Sequence, residues 1–267
     1  MHSGSELFVI PSFPHHHHYK VNVSSMSSTR LDSTTRRDYF SAVFRVGRDI
    51  VALGDKLMYV YILDKQTSRW NRWPTSSRTL DLKQKVKISG YVDQVDKGLL
   101  ISDVDTDKSF FLDLGSHEWV SVEPPKVNDW FCLVGLLSGR CIFAEGFIYT
   151  CADEGLVAYE LLKEDSGLYG LGTPILLEFP WRELSDRRFM SFECIGEDRK
   201  DIVFCVIEGY FLADPFTSRH SLTSTIVIVE REDTPQGTKV PVRLNHVDVA
   251  VLSVNHEDGI LTNYAFT

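Results

Sequence analysis

"YVYILDKQTSRW", residues 59–70, reads as an apolar strand, a turn led by Asp64, and a second strand opened by Trp70. The cadence returns in "FFLDLGSHEW", residues 110–119, where Asp113 and Trp119 stand forty-nine positions after Asp64 and Trp70. Asp starts tight turns because its carboxylate accepts backbone N–H bonds two residues on. A Trp at the head of the closing strand brings enough apolar area to seal a packed seam. Repetition of the whole phrase at one spacing marks a repeated structural unit.

Working outward, the first copy belongs to a group of four short runs, "YFSAVFRVG", "DIVALGD", "KLMYVYILD" and "SRWNRWP", over residues 39–74. The second group, "VKISGYVD", "KGLLISD", "KSFFLDLG" and "HEWVSVEP", covers residues 86–124. A third runs between Trp130 and Trp181, and a looser fourth is built from "MSFECIG", "DIVFCVIEG", "STIVIVERE" and "KVPVRLN". Runs of Val, Ile, Phe, Tyr and Leu broken by Gly, Asp, Asn and Pro are strand-and-turn patterning. Only "PWRELSDRRFM", residues 180–190, suits a helical turn. Four-strand units recurring every 40–50 residues predict an all-β fold, a β-propeller of four-stranded antiparallel blades. Residues 39–267 form that domain, and residues 1–38 are an N-terminal segment that supplies a closing strand. Four internal groups plus one blade shared by the two termini give about five blades, or an incomplete ring. A pair of β-sandwiches is the rival architecture, but it gives no reason for the forty-nine-residue echo.

The chain is long enough for a sizeable core, and its 43% hydrophobic and 12% aromatic content argues against disorder. Twenty-eight basic residues against 37 acidic ones leave a net charge of −9, which disfavours nucleic acid and anionic membranes as partners. The apolar run at the N-terminus is cut by Pro11 and Pro14, and "WFCLVGLL" is far too short to cross a bilayer, so neither a secretory signal nor a span is expected. Five cysteines without a CxxC pair, four of them in apolar runs, fit a reducing compartment, cytoplasmic or nuclear.

The pattern "(Y/F)xLDxxxxxW" closing a four-strand group resembles kelch-like propellers. The text "CIFAEGFIYTCADEGLVAYELL" followed by "DIVFCVIEGYF" is similar to plant, especially grass, proteins with F-box-associated or kelch-like propeller regions. The resemblance spans residues 40–267 and rests on cadence; the Gly-Gly pair of kelch blades is missing, and no F-box is legible in residues 1–38. It implies a fold shared with substrate receptors of ubiquitin ligases.

Motifs with chemical potential resolve into structural ones. Asp103, Asp105 and Asp107 have calcium-loop spacing, but Lys108 and Leu114 occupy the positions that need Gly and Glu. The row His15–His18 lacks a Cys or carboxylate companion. Gly167, Gly170 and Gly172 precede a strand rather than the helix a phosphate cradle requires. No nucleophile elbow occurs, and His117, His220, His246 and His256 are dispersed. The sequence therefore predicts no catalytic residue, no metal and no cofactor.

The functional expectation is a non-enzymatic module that binds another protein through loops of a rigid ring. The stretches that depart most from the repeat, "KEDSGLYGLGTP" and "FLADPFTSRHSLT", are the expected binding loops, with Phe211, Phe216 and Arg219 as anchors. The alternative is an enzyme or small-molecule binder that uses the central channel of the ring.

Overall fold

The computed structural model describes residues 6–9, 18–22, 25, 27–31, 40–47, 49–64, 66–67, 69–95, 98–125, 137, 139–152, 155–164, 167–179, 187–197, 201–214, 217–235 and 237–255. Among them every regular element is a β-strand. The chain divides into two compact units, Met1–Val122 with Ala265–Thr267, and Glu123–Tyr264.

In the first unit, β1 (Glu6–Val9), β2 (His18–Asn22) and β3 (Ser27–Leu31) pair antiparallel in sequence order. Next come β4 (Ala42–Val46), β5 (Asp49–Leu53), β6 (Tyr59–Asp64) and β7 (Arg69–Pro74), again antiparallel and in order. The same arrangement recurs in β8 (Ile88–Val95), β9 (Gly98–Asp103), β10 (Lys108–Asp113) and β11 (Glu118–Glu123). These eight strands are the first two groups of the sequence reading.

The repeated Asp works as a turn cap in both copies. Asp64 accepts hydrogen bonds from the N–H of Gln66 at 2.9 Å and of Thr67 at 3.3 Å, and from the Thr67 hydroxyl at 2.7 Å. Asp113 accepts from the N–H of Gly115 at 2.6 Å and of Ser116 at 3.3 Å. Asp103 caps the β9–β10 turn, taking the Thr106 hydroxyl at 2.7 Å and the Lys87 N–H at 2.9 Å. The calcium-like spacing of Asp103, Asp105 and Asp107 is thus a β-turn, with Asp107 at a φ of 52°.

Alternation along the strands sends one set of side chains to each face. Phe44, Val46, Val51, Leu53 and Val60 from β4–β6 pack against Leu99, Ile101, Phe110, Leu112 and Trp119 from β9–β11. Phe44 meets Tyr91 of β8 edge-on, ring centroids 4.7 Å apart. The Trp119 indole N–H donates to the Leu57 carbonyl at 3.0 Å, tying the two sheets together. The positions forty-nine residues before the five on β9–β11 are Ile50, Ala52, Tyr61, Leu63 and Trp70. They form their own buried cluster on the other face of β4–β7, with Phe40 against Tyr61 at 5.1 Å and Trp70 at 4.8 Å. The repeat therefore extends from the turn to the whole packing face: each copy buries the same five positions.

In the second unit, β12 (Gly139–Ala144), β13 (Phe147–Ala152) and β14 (Gly155–Lys163) form a meander; β15 (Tyr169–Leu171) hairpins onto the end of β14, and β16 (Ile175–Glu178) pairs with its beginning. Gly155 is required there, since a Cβ would stand 2.1 Å from the Leu177 carbonyl oxygen. β17 (Arg187–Glu197), β18 (Asp201–Asp214), β19 (Thr217–Asp233) and β20 (Lys239–Asn255) follow as an antiparallel sheet in order. Tyr149, Leu156, Ala158 and Leu177 pack against Ile202, Phe204, Val206, Val227, Val229 and Leu244, and the Tyr149 and Phe204 rings approach to 5.0 Å.

Three expectations are adjusted. Residues 187–190 of the expected helical turn lie in β17; residues 180–186 are outside the described residues. The expected loop "FLADPFTSRHSLT" is a β18–β19 hairpin, paired as far as Asp214 with Thr217. Pairing of its second arm with β20 holds the backbone extended despite a loop-like composition. The stretch "KEDSGLYGLGTP" contains β15. Cys141 is buried in β12 and Cys151 half-buried in β13.

Candidate interaction surface

The anchors expected from the sequence fall on the β18–β19 hairpin. Phe211 stands opposite His220 and Leu212 opposite Arg219, so the backbone brings Phe211 and Arg219 to one end of the ribbon. Phe216 lies outside the described residues.

A second surface, which the sequence reading passed over, is built on β7. Residues 65–80, "KQTSRWNRWPTSSRTL", hold Lys65, Arg69, Arg72 and Arg78 and not one acidic residue, within a chain of net charge −9. In β7 only Trp70 is buried; Arg69, Asn71, Arg72, Trp73 and Pro74 are exposed. Trp73 is 46% exposed, among the largest apolar side chains left on the surface of the described residues. It is held in place from one side by the His117 ring, with centroids 5.3 Å apart and planes at 39°. His117 is aimed there by the β10–β11 turn, where it adopts a φ of 55°. The Arg72 guanidinium lies 4.6 Å from the centre of the Tyr59 ring on β6. Arg78 reaches Glu118 at 3.4 Å.

The physical signature is specific. Trp, Tyr and Arg dominate the energetics of protein interfaces, and the rings of Trp and Tyr bring large contact area with few rotamers to lose. Here rings and guanidinium order one another before any partner arrives, which lowers the entropy lost on binding. Four cations and no carboxylate in sixteen residues make this stretch locally basic within an acidic chain.

Among the described strands, β7 pairs with β6 alone. Thr75 N–H donates to the Met58 carbonyl at 3.0 Å. Antiparallel ladders alternate, so with the register Val60–Trp73 and Ile62–Asn71 the backbone groups of Arg69, Asn71 and Trp73 face β6. Those of Trp70, Arg72 and Pro74 face outward. Pro74 therefore costs the ladder no bond. One residue further along the same outward row, Ser76 is already in use: its N–H donates to the His117 carbonyl at 2.9 Å, and its carbonyl accepts from Trp119 N–H at 2.7 Å. Ser76 and Glu118 thereby form a parallel bridge.

Elsewhere, ionisable groups serve structure. Burial pushes the Tyr159 phenol up to about 12, with the neighbouring Cys141 adding to the shift, which keeps the hydroxyl neutral. Glu230 is held below the usual glutamate range by the Arg243 guanidinium and by Asn245, which both donate to it. Among the described residues, no three His, Cys, Asp or Glu side chains gather as a metal site would require.

No family model matches the chain, and no curated relative matches it. Among solved structures, it is similar to an auxiliary nutrient binding protein from Bacteroides thetaiotaomicron, at 10% identity and a TM-score of 0.43 over 89% of this chain, and spans only 54% of that protein. It is also similar to a streptogramin B lyase, at 8% identity and a TM-score of 0.47, over 91% of this chain and 81% of the lyase.

Proposed function

We propose that the chain is a β-propeller whose blades are the β1–β3, β4–β7, β8–β11, β12–β16 and β17–β20 groups, about five in all, and that it serves as a non-enzymatic protein-binding module. The blade reading is supported by the in-order antiparallel pairing within β4–β7, within β8–β11 and within β17–β20, and by the packing face repeated at forty-nine residues. A ring of such sheets buries each face against a neighbour. The F-box-associated resemblance accords with a receptor that presents a rigid surface to a protein in the cytosol or nucleus.

The observation that carries the binding role is the β7 surface, where Trp73, exposed and braced by the tilted His117 ring, stands beside Arg72 on Tyr59. Trp and Arg side by side are the residue types that most often anchor protein interfaces. The test is a photo-crosslinking residue at position 71 in the full chain, exposed to extract. Protein adducts that vanish with Trp73→Ala and persist with a change at Lys163 in the other unit support the role. Adducts indifferent to Trp73, or none, refute it.

A further inference from the structure

We propose that the solvent-facing side of the β14–β15 hairpin receives a basic amphipathic helix of a partner protein. Its apolar row seats on Leu162 and Leu168, and its lysines or arginines meet Glu160 and Glu164. The surface lies in the second unit and stands independently of the β7 reading.

The hairpin is built to hold this side in one shape. Its register pairs Leu161 with Leu171, Leu162 with Gly170 and Lys163 with Tyr169. Alternation then puts Leu161, Lys163, Tyr169 and Leu171 on one face, and Glu160, Leu162, Leu168 and Gly170 on the other. The first face anchors the hairpin: Tyr169 and Leu171 are buried, and the Lys163 ammonium lies 5.3 Å from the centre of the Tyr169 ring. At the tip, the Glu164 N–H donates to the Leu168 carbonyl and the Gly167 N–H to the Glu164 carbonyl, both at 2.9 Å. Gly167 allows that turn with a φ of 81°.

The second face carries the site. Leu162 is 44% exposed and Leu168 38%, so two of the large apolar side chains left on the surface meet on one short hairpin. Along β14 the row Leu156, Ala158, Glu160, Leu162 begins in the core and runs out into solvent. Gly170, across from Leu162, is not demanded by its backbone. Its φ lies outside the left-handed region, and an added Cβ would stand 3.7 Å from the nearest atom, an ordinary contact. Its missing side chain leaves a notch beside Leu162 that an apolar side chain from outside can fill.

Charge selects the occupant. Glu160 and Glu164 flank Leu162 on its own row and are exposed, whereas Lys163 between them is turned to the opposite face. Within a chain of net charge −9, such a rim repels anionic lipid and nucleic acid and attracts a segment bearing Lys or Arg. A helix suits the surface because its backbone groups are bonded internally, and this face of the hairpin offers side chains. Leucines three and four residues apart form the apolar stripe such a helix lays down.

The test uses the full chain and a fluorescein-labelled helical peptide of Leu, Lys and Ala, with leucine recurring at three- and four-residue intervals, followed by anisotropy. One control peptide carries Glu for every Lys; another keeps the composition but scatters its leucines around the helix. Saturable binding of the basic amphipathic peptide is expected, weakening as salt is added. Leu162→Ser and Leu168→Ser should each weaken it about tenfold, the scale of a lost interface anchor. Neither change alters charge, so mere attraction of a basic peptide to an acidic chain would leave both without effect. Gly170→Thr fills the notch with a side chain that strands accommodate and should weaken binding by a similar factor. Glu160→Lys should weaken it and flatten the salt dependence. Unchanged circular dichroism and melting confirm that the variants are folded; Gly170→Ala replaces Gly170→Thr if the larger side chain disturbs the hairpin.

Equal binding by the wild type and both serine variants would overturn the proposal. So would binding of the acidic or the scattered peptide as tight as that of the amphipathic one, or no saturable binding at all. A concentration-dependent dimer in sedimentation velocity that is abolished by Leu162→Ser would hand the face to a second copy and overturn the partner helix. The β7 surface is tested separately by the position-71 cross-linker, so either reading can fail without the other.

Discussion

The bond from the Trp119 indole to the Leu57 carbonyl predicts a specific failure of additivity. The same carbonyl also accepts the Thr75 hydroxyl, so two donors converge on one buried oxygen. Trp119→Phe removes one donor and the five-membered part of the indole. The bond is worth about 1 kcal/mol net, since Thr75 still satisfies the carbonyl, and the small cavity adds about 1–2 kcal/mol. Thr75→Val alone removes the other donor at a cost of about 1 kcal/mol. Together they leave the oxygen buried and orphaned, which costs about 1–3 kcal/mol on its own. The double variant should therefore lose about 1 kcal/mol more stability than the sum of the singles, a coupling well outside the scatter of independent sites. Urea unfolding of the four proteins, read by far-ultraviolet circular dichroism, measures it. Additivity to within about 0.3 kcal/mol would refute the shared-acceptor reasoning. Trp119→Ala, losing the whole wedge between the sheets, should cost about 4–5 kcal/mol or abolish folding.

Three further outcomes are expected. Gly98→Ala places a Cβ 2.2 Å from Cζ of Phe111 and 2.6 Å from the Leu112 carbonyl oxygen; backbone cannot yield as a flexible side chain can, so unfolding should become easier by about 3 kcal/mol. Ser102 and Ser109 share a buried hydroxyl–hydroxyl bond of 2.6 Å, and Ser102→Ala should cost about 1–2 kcal/mol while the double alanine variant costs less than twice that, because no hydroxyl is stranded. Glu230 has its folded pKa depressed by Arg243 and Asn245, so its stabilising contribution is present above the ordinary glutamate pKa and is lost as pH falls through the lower folded value. The melting-temperature gap between the wild type and Glu230→Gln should accordingly be widest near neutrality and close on acidification; a gap independent of pH would contradict the assignment.

The recurrence of Asp64 and Trp70 as Asp113 and Trp119 was enough to place two four-strand groups, because a turn cap and its closing strand are local events dictated by a few neighbouring residues. The same spacing carried the inward positions, since strand alternation converts a sequence offset into a shared face. The β18–β19 segment misled for the converse reason: "ADPFTSRH" has loop composition, yet pairing with the long β20 holds its second arm extended.

What the sequence by itself determined, then, is the all-β character, the strand-turn cadence and the two matched sheets, all properties of contacts a few residues apart. What only the tertiary structure decided is which side chains are left over. Trp73 stands three residues from the fully buried Trp70, and composition cannot tell them apart. Exposure depends on which face of β7 the sheets cover and on where a distant turn sets His117. Those are long-range facts, fixed when the sheets pack, and the candidate site exists only because of them.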